Sequence, residues 1–502
     1  MSEAAEEKKK SFLDIEPTDN DAEQVPAPPR KKRRIIRKIL LVLLCVAVLL
    51  TGYWIFEDIR WSRRLDAQLE EYRAAGQPVD IADFAPPRTP DDNNVALAYK
   101  KASELLDLTE KQEEILFDSF SPEKIKTESD LIKAAIEANQ ESLQLARNAR
   151  TMTGCDWGLK YQSPAIDLLF PSLNGFRSLG KLVGCIAIYY HNTKNDAVAV
   201  EAIRDILPLA DSQRIHFLIG NLVAIVIDTR TCEVVETIVH NLTVTASPGA
   251  ATAGHHPASR QAVEALIYEL LDEKEAWHGL ERAFLMERVF VLDSYQILLQ
   301  KGVPSEDTAT VSERVHAWIF RPWHKREMLF LLKDMSLLVQ AAKQTSLSDA
   351  KRFFPSSTNE DNFFYRPINI TALLMPSLDR AMILYFRSIA QRRMAGIALA
   401  MRLYEIDHGH RPAKLEELVP KYLPAVPVDP FSPDGKPISY RYDLARPVLY
   451  SVGENQTNEG GQYAASPDEV PDLKQYDIVF FLNGDRPREV SDDESSPPHS
   501  AE

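Results

Sequence analysis

Between Leu449 and Gly461 the chain reads LYSVGENQTNEGG, and sixteen residues beyond Gly461 it reads DIVFF, from Asp477 to Phe481. Carboxylate, amide and hydroxyl oxygens crowd this loop, and it carries the paired glycines Gly460 and Gly461. Such a loop either coordinates a hard cation or forms a solvated polar turn, and composition leaves both readings open. Other chemistry-bearing residues offer less. Cys155 precedes Asp156 in TGCDWGLK, but no histidine stands where it would activate the thiol, so packing is the expected role. His255 and His256 are adjacent and do not share a helical face. Asp407, His408 and His410 of DHGH fall where a helix gives way to a loop and read as a solvated turn. There is no nucleotide-binding, metalloprotease or nucleophile-elbow pattern. No catalytic residue and no cofactor-binding residue is assigned.

The elements that must position these residues belong to a globular chain of 502 residues, 45% hydrophobic and 26% charged. A net charge of -15 supplies no basic field for releasing counterions from phosphates, which argues against nucleic acid as a partner. Cys45 lies in an apolar run, and Cys155, Cys185 and Cys232 are widely spaced with no CxxC pair. That excludes a zinc ribbon or dithiol redox motif. One disulfide is allowed, none is demanded, and buried free thiols are expected.

The sequence RKKRRIIRKILLVLLCVAVLLTGYWIF predicts a membrane anchor. Ile39 to Phe56 is free of charge, the length that crosses a hydrocarbon core of about 30 Å. Arg30, Lys31, Lys32, Arg33, Arg34, Arg37 and Lys38 flank its N-terminal side, and Tyr53, Trp54 and Trp61 its far end. The positive-inside rule then puts the N-terminus in the cytoplasm and the bulk of the chain outside it. The preceding stretch is too long for an ordinary signal-peptide n-region, and no small-x-small cleavage site follows, so an uncleaved signal-anchor is expected. The expected localisation is the inner (cytoplasmic) membrane of a bacterial cell, crossed once.

Beyond the anchor, EDIRWSRRLDAQLEEYRAAG predicts a helix ending at Gly76, and Asp91 or Asp92 is the expected cap of the next. From about 128 to 345 the apolar period is helical. A hairpin is expected in which one helix ends near Tyr190, HNTKND turns, and a second runs to Leu209. Its layout resembles one tetratricopeptide-like unit, but no fixed repeat supports an array. The C-x-W region and the helical body resemble bacterial membrane-anchored proteins with a similar N-terminal anchor, a likeness that implies no activity.

Further on, Ser377 is the expected cap of a long helix with Phe386, Ala390, Met394, Ile397, Met401 and Tyr404 along one stripe, stopped at Gly409 and Pro412. A short helix from Leu415 to Val419 and three strands, PISYRYD, PVLYSVG and YDIVFFL, follow. A small antiparallel sheet packed on the long helix is the natural arrangement. The ordered series L-x-x-L-V-P-x-Y-L-x-x-x-P-x-D-P-F, Y-x-Y, L-Y-S-x-G, GG and D-I resembles the C-terminal region of the major pseudopilin of type II secretion, over residues 378 to 482. That resemblance implies a calcium-binding loop. Asn455 falls where the family has an aspartate, Asp477 matches the D-I aspartate, and Ser451, Gly453, Gly460 and Gly461 match the strand end and paired glycines. Asn455 and Asp477 are the ligands the resemblance implies, and Glu454, Glu459 and Asp468 are carboxylates that would compensate for the uncharged Asn455; Asn455, Glu459 and Asp477 are the candidate calcium ligands. The chain departs from the family in its long charged N-terminal tail, its lack of G-F-x-x-x-E, and the several hundred residues between anchor and module.

The expected organisation is a disordered cytoplasmic tail (1–37), a transmembrane helix (38–56), an irregular extracytoplasmic helical domain (57–365), a pseudopilin-like α+β module (376–482) and a disordered tail (483–502). The fold class is mainly α with a small α+β C-terminal module. The expected function is a structural or protein-binding scaffold of the bacterial cell envelope with a protein partner. The alternatives are an envelope hydrolase with a site in the helical domain and an accessory component of a secretion or pilus-like system.

Overall fold

The computed structural model describes residues 30–117, 122–165, 168, 173–214, 217–245, 254–301, 310–354, 370–442, 445–464 and 474–487. The tail expectations for 1–29 and 488–502, and Asp468, lie outside the described residues. The structure is mainly helical, with one long apolar N-terminal helix and a small sheet. Its contacts divide the chain into two units, 1–60 and 61–502, so residues 57–365 and 376–482 fall largely within one compact unit.

Helix α1 (Arg30–Ala74) contains the apolar run, and among the described residues it alone is long and apolar enough to cross a membrane. Its side chains from Ile39 to Phe56 are almost all exposed. The helix ends because Gly76 adopts a φ of 68°, a region that costs L-residues a steric clash.

In the second unit, Leu65, Leu69 and Tyr72 recur at helical spacing on the last turns of α1 and are buried. Each fully buried side chain of this kind contributes roughly 1.5–3 kcal/mol. A layer of short helices follows: α2 (Val95–Glu104), α3 (Glu110–Phe117), α4 (Pro122–Thr127), α5 (Ser129–Ala138) and α6 (Gln140–Ala149). The expected cap at Asp91 or Asp92 is corrected. Those residues form a 3-10 turn, and Asn94 Oδ1 accepts from Ala96 N at 3.2 Å. An amide places its oxygen on the second helical N–H as well as a carboxylate does, and the first, Val95 N, donates to the Gly154 carbonyl.

The centre consists of α7 (Leu173–Asn192), α8 (Asp196–Gln213) and α9 (Leu218–Ile238), packed on one another. The α7–α8 hairpin turns at Lys194, which has a φ of 65°, and Asn195 caps α8. Ala199, Ala202, Ile203 and Leu207 are buried, whereas Ala197 is only half-buried. The second helix runs to Gln213, past the expected Leu209, with Pro208 inside it. Strands β1 (Val244–Thr245) and β2 (Ala258–Ser259) then pair in parallel, and Ser259 caps α10 (Arg260–Leu271). Next come α11 (Lys274–Lys301), α12 (Val311–Ile319), α13 (Arg321–Ala342) and α14 (Leu347–Lys351).

Helix α15 (Ile370–His408) begins upstream of Ser377, so Ser377 lies inside it and does not cap it. Its expected stripe, from Phe386 to Tyr404, is buried, and the helix packs on α9 and α10. One hydrophobic core therefore runs from Leu65 through α15 to Leu482. Leu415–Leu418 is a single 3-10 turn. The sheet has the order β3 (Ser439–Arg441), β4 (Val448–Ser451), β5 (Ile478–Phe481), antiparallel throughout, with Leu449 opposite Tyr440 on one side and Phe480 on the other. Both β4 and β5 are buried on both faces, because α15 covers one and a smaller cluster of Val448, Tyr450, Val479, Phe481 and Tyr463 fills the other.

Candidate metal centre

The loop between β4 and β5 leaves its strand on a fixed hinge. Asp429, buried in the preceding VDPF segment, accepts Ser451 Oγ at 2.7 Å and Val452 N at 2.9 Å. Gly453 follows with a φ of 69°, and a Cβ there would lie 2.8 Å from the Tyr476 carbonyl oxygen. The outgoing and returning chains thus meet where only glycine fits. Asp429 was not singled out from sequence; its signal was its place in D-P-F ahead of the first strand.

Asp477 closes the loop. Its side chain is 0% exposed, and its Oδ2 accepts Gly461 N at 2.7 Å. Gly461 has a φ of 81° and sits against Tyr450 and Val448. The other oxygen, Asp477 Oδ1, has no hydrogen-bond partner, and neither has Glu459 Oε2. Burial pushes the Asp477 carboxyl up to about 7; the Gly461 N–H opposes that rise and the Glu459 charge adds to it. Two carboxyl groups confined together cannot both stay ionised without a proton or a cation between them.

The structure thus brings Glu459 and Asp477 together, and it brings Asn455 to the same place in a different role. Asn455 Nδ2 donates to Glu459 Oε1 at 2.8 Å and to the Gln475 carbonyl at 2.7 Å, while its Oδ1 accepts Thr457 N. It turns its nitrogen, not its oxygen, towards the carboxylate. Two unpartnered carboxylate oxygens fit a calcium ion in part, since calcium takes six to eight oxygens and accepts backbone carbonyls among them. Glu454 lies on the same loop, and its carbonyl accepts Lys351 Nζ at 3.3 Å. Among the described residues no group of three or more His, Cys, Asp or Glu side chains is gathered as a metal cluster. Any ion here would therefore rest on this carboxylate pair plus main-chain oxygens.

The remaining sequence candidates have packing roles. Cys155 is half-buried, with its Sγ 3.7 Å from the Ser212 carbonyl, and burial pushes its thiol up to about 12. A thiol so protonated is a poor nucleophile. Trp157 donates to the same carbonyl at 3.1 Å and stacks edgewise on Phe176. All four cysteines are free, and Cys185 and Cys232 are buried. His256 serves through its backbone, donating to the Lys194 carbonyl and accepting Ala197 N. Asp407 is more than a solvated turn: it accepts Lys421 Nζ and Tyr422 Oη and pairs with Arg260, tying α15 to α10. His408 stacks on Tyr404 at 4.0 Å.

A further anchor was missed from sequence. Glu236 of α9 accepts Phe481 N and Arg486 Nε at 2.7 Å, fastening β5 to the helical core. Glutamate in a helix and arginine in a tail carry no spacing signal that would pair them across 250 residues. Compared with models of protein families, with curated proteins and with solved structures, the chain matches none.

Proposed function

We propose that this chain is a single-pass, membrane-anchored scaffold of the bacterial cell envelope, with its N-terminus in the cytoplasm and its body outside, binding a protein partner there. The exposed apolar segment of α1 behind its basic flank supports the anchor. The α7–α8 hairpin is one tetratricopeptide-like unit of the binding body, and the C-terminal sheet on α15 is a pseudopilin-like module carried by it. The ordered motif around that sheet also favours a second reading, an accessory component of a secretion or pilus-like system.

One observation carries the assignment of the C-terminal loop: Asp477 Oδ1 and Glu459 Oε2 are buried side-chain oxygens left without partners beside each other. Asp477 and Glu459, with main-chain oxygens of the loop, would hold calcium. Bound there, the ion would neutralise the carboxylate pair and pin the β4–β5 loop, a structural use with no chemical step.

The test is thermal unfolding of the full chain in nanodiscs with EDTA, magnesium or calcium. Calcium at about 100 times its dissociation constant adds roughly 2.7 kcal/mol. A calcium-specific rise that disappears in Asp477→Ala supports the loop site. Superimposable curves in all three conditions would leave a polar turn and remove the calcium-loop assignment.

A further inference from the structure

Helix α12 has its hydrophobic side on the wrong face. Val311, Val315, Trp318 and Ile319 fall within one arc at helical spacing and are 79%, 50%, 58% and 48% exposed. Ala317, on the opposite side, is 7% exposed and faces the body. The core therefore takes the small residue, and the large apolar ones point outward. Phe320, the residue before α13, is 36% exposed, with its ring 4.4 Å from that of His316. Scattered exposed apolar residues are ordinary, but a contiguous set with an aromatic at its edge is the signature of a binding face.

Its place in the fold identifies what covers it. Helix α13 follows α12 directly and is tied to the residues just past the apolar run of α1. Lys325 Nζ donates to Ser62 Oγ at 2.7 Å, and the Arg326 guanidinium lies 5.8 Å from the Trp61 ring. Ser62 follows Phe56 by six residues, so at most about 22 Å of chain separates it from the end of the hydrocarbon-length segment. Ile319 precedes Lys325 by six residues and is bounded in the same way. From Arg314 to Arg326 the sequence holds four Arg or Lys and no acidic residue; Lys325 is buried on Ser62, and the basic border is the exposed Arg314 with the half-buried Arg321 and Arg326.

We infer that α12 is an interfacial helix. It lies on the same bilayer that α1 enters, with Val311, Val315, Trp318 and Ile319 among the acyl chains near the headgroups and the basic flank against anionic lipid. Interfacial helices combine these features, an apolar face with Trp or Leu, a basic border, and insertion of about 5–10 Å. Tryptophan suits that depth because its ring is apolar and its N–H reaches the wet layer. The inference rests on α1 being a membrane anchor.

The experiment uses the full chain in phosphatidylcholine–phosphatidylglycerol vesicles, with an environment-sensitive fluorophore at one cysteine. One sample carries it on Cys45, inside the apolar run. A second carries it on Val315→Cys and a third on Tyr268→Cys, both in a Cys45→Ser background; Tyr268 is 72% exposed on α10. Two lipids serve as quenchers, one bearing a nitroxide near the headgroup to read position 315 and one bearing it deep in the acyl chain to read Cys45, which lies near the middle of the apolar run. The expected result is blue-shifted emission and lipid quenching at position 315, with neither at position 268. Quenching at Cys45 but not at 315 overturns the inference and leaves the anchor intact. Blue-shifted emission at 315 that lipid does not quench overturns it in favour of a second copy or another protein on that face. No quenching at either site removes the anchor and the inference together.

Discussion

Arg392 of α15 lays its guanidinium 3.2 Å from the Asp228 carboxylate of α9, with both side chains about 1% exposed. Arg214 pairs with the same carboxylate, and Ser388 Oγ donates to it. The Arg392 guanidinium also donates to the carbonyls of Leu270, Glu269 and Asp272, the orphan acceptors at the end of α10. One side chain thereby joins three helices. Removing one partner of a buried pair leaves an uncompensated charge and costs about 3–5 kcal/mol. Asp228→Ala leaves buried Arg392 with backbone carbonyls and no carboxylate partner, and leaves Arg214 with Asp211 alone, so its unfolding midpoint in nanodiscs falls below that of the parent chain. An unchanged midpoint would contradict a structural role for this pair.

The loop carboxylate makes stability depend on pH in a particular direction. Folding raises the Asp477 pKa from 3.8 to about 7. Its stabilising contribution is therefore complete below about pH 4, where the acid is protonated in both states, and is lost as pH rises through about 7. Without calcium, the parent chain loses stability between those values relative to Asp477→Asn, which imitates the neutral acid. Saturating calcium reverses the trend, because the ion binds only once the proton has left. Melting curves across this window, with EDTA and with calcium, decide it. Parallel profiles for parent and variant in EDTA would rule the linkage out.

Asn94 clamps the segment around Cys155 to the start of α2. Its Oδ1 accepts Ala96 N and Asp156 N, and its Nδ2 donates to the Asp156 carbonyl at 2.8 Å. Asn94→Ala loses a cap worth about 1 kcal/mol and frees two partly buried backbone groups. Asn94→Asp keeps both acceptor contacts and costs less. Limited proteolysis of the 150–160 segment reads the difference, and equal cleavage of the two variants would show that the acceptor contacts, which Asn94→Asp keeps, do not hold the segment.

Two glycines of the same loop separate conformation from crowding. Gly460 has a φ of 76° with nothing within 4 Å of where a Cβ would stand. Gly460→Ala therefore pays only the left-handed backbone cost of roughly 1–2 kcal/mol. Gly453→Ala adds a clash with the Tyr476 carbonyl and is the more damaging change. Thermal unfolding of the two variants ranks them, and a larger loss for Gly460→Ala would mean that the loop does not close as described.

The sequence by itself determined what local pattern and covalent length can carry. A charge-free run from Ile39 to Phe56 makes a helix long and apolar enough to cross a membrane. The period of Phe386 to Tyr404 makes one buried stripe, and three alternating runs make three strands, since each depends only on neighbours within a few turns. Element starts were less legible. Asn94 rather than Asp91 or Asp92 caps α2, and α15 begins before Ser377, because several oxygen-bearing residues lie within reach of each helix end and only the packed backbone selects one.

Tertiary structure alone decided the rest. It buried Asp477 beside Glu459 and turned Asn455 the other way round. It joined Glu236 to Arg486 and Asp228 to Arg392, pairs separated by 250 and 164 residues. It also turned the apolar face of α12 outward and tied the following helix to Ser62 through Lys325. Helical period records that a face is apolar but not which way it points. Charge records that two groups can pair but not that they meet. Both are settled only when the whole chain packs and each buried charge must find its partner.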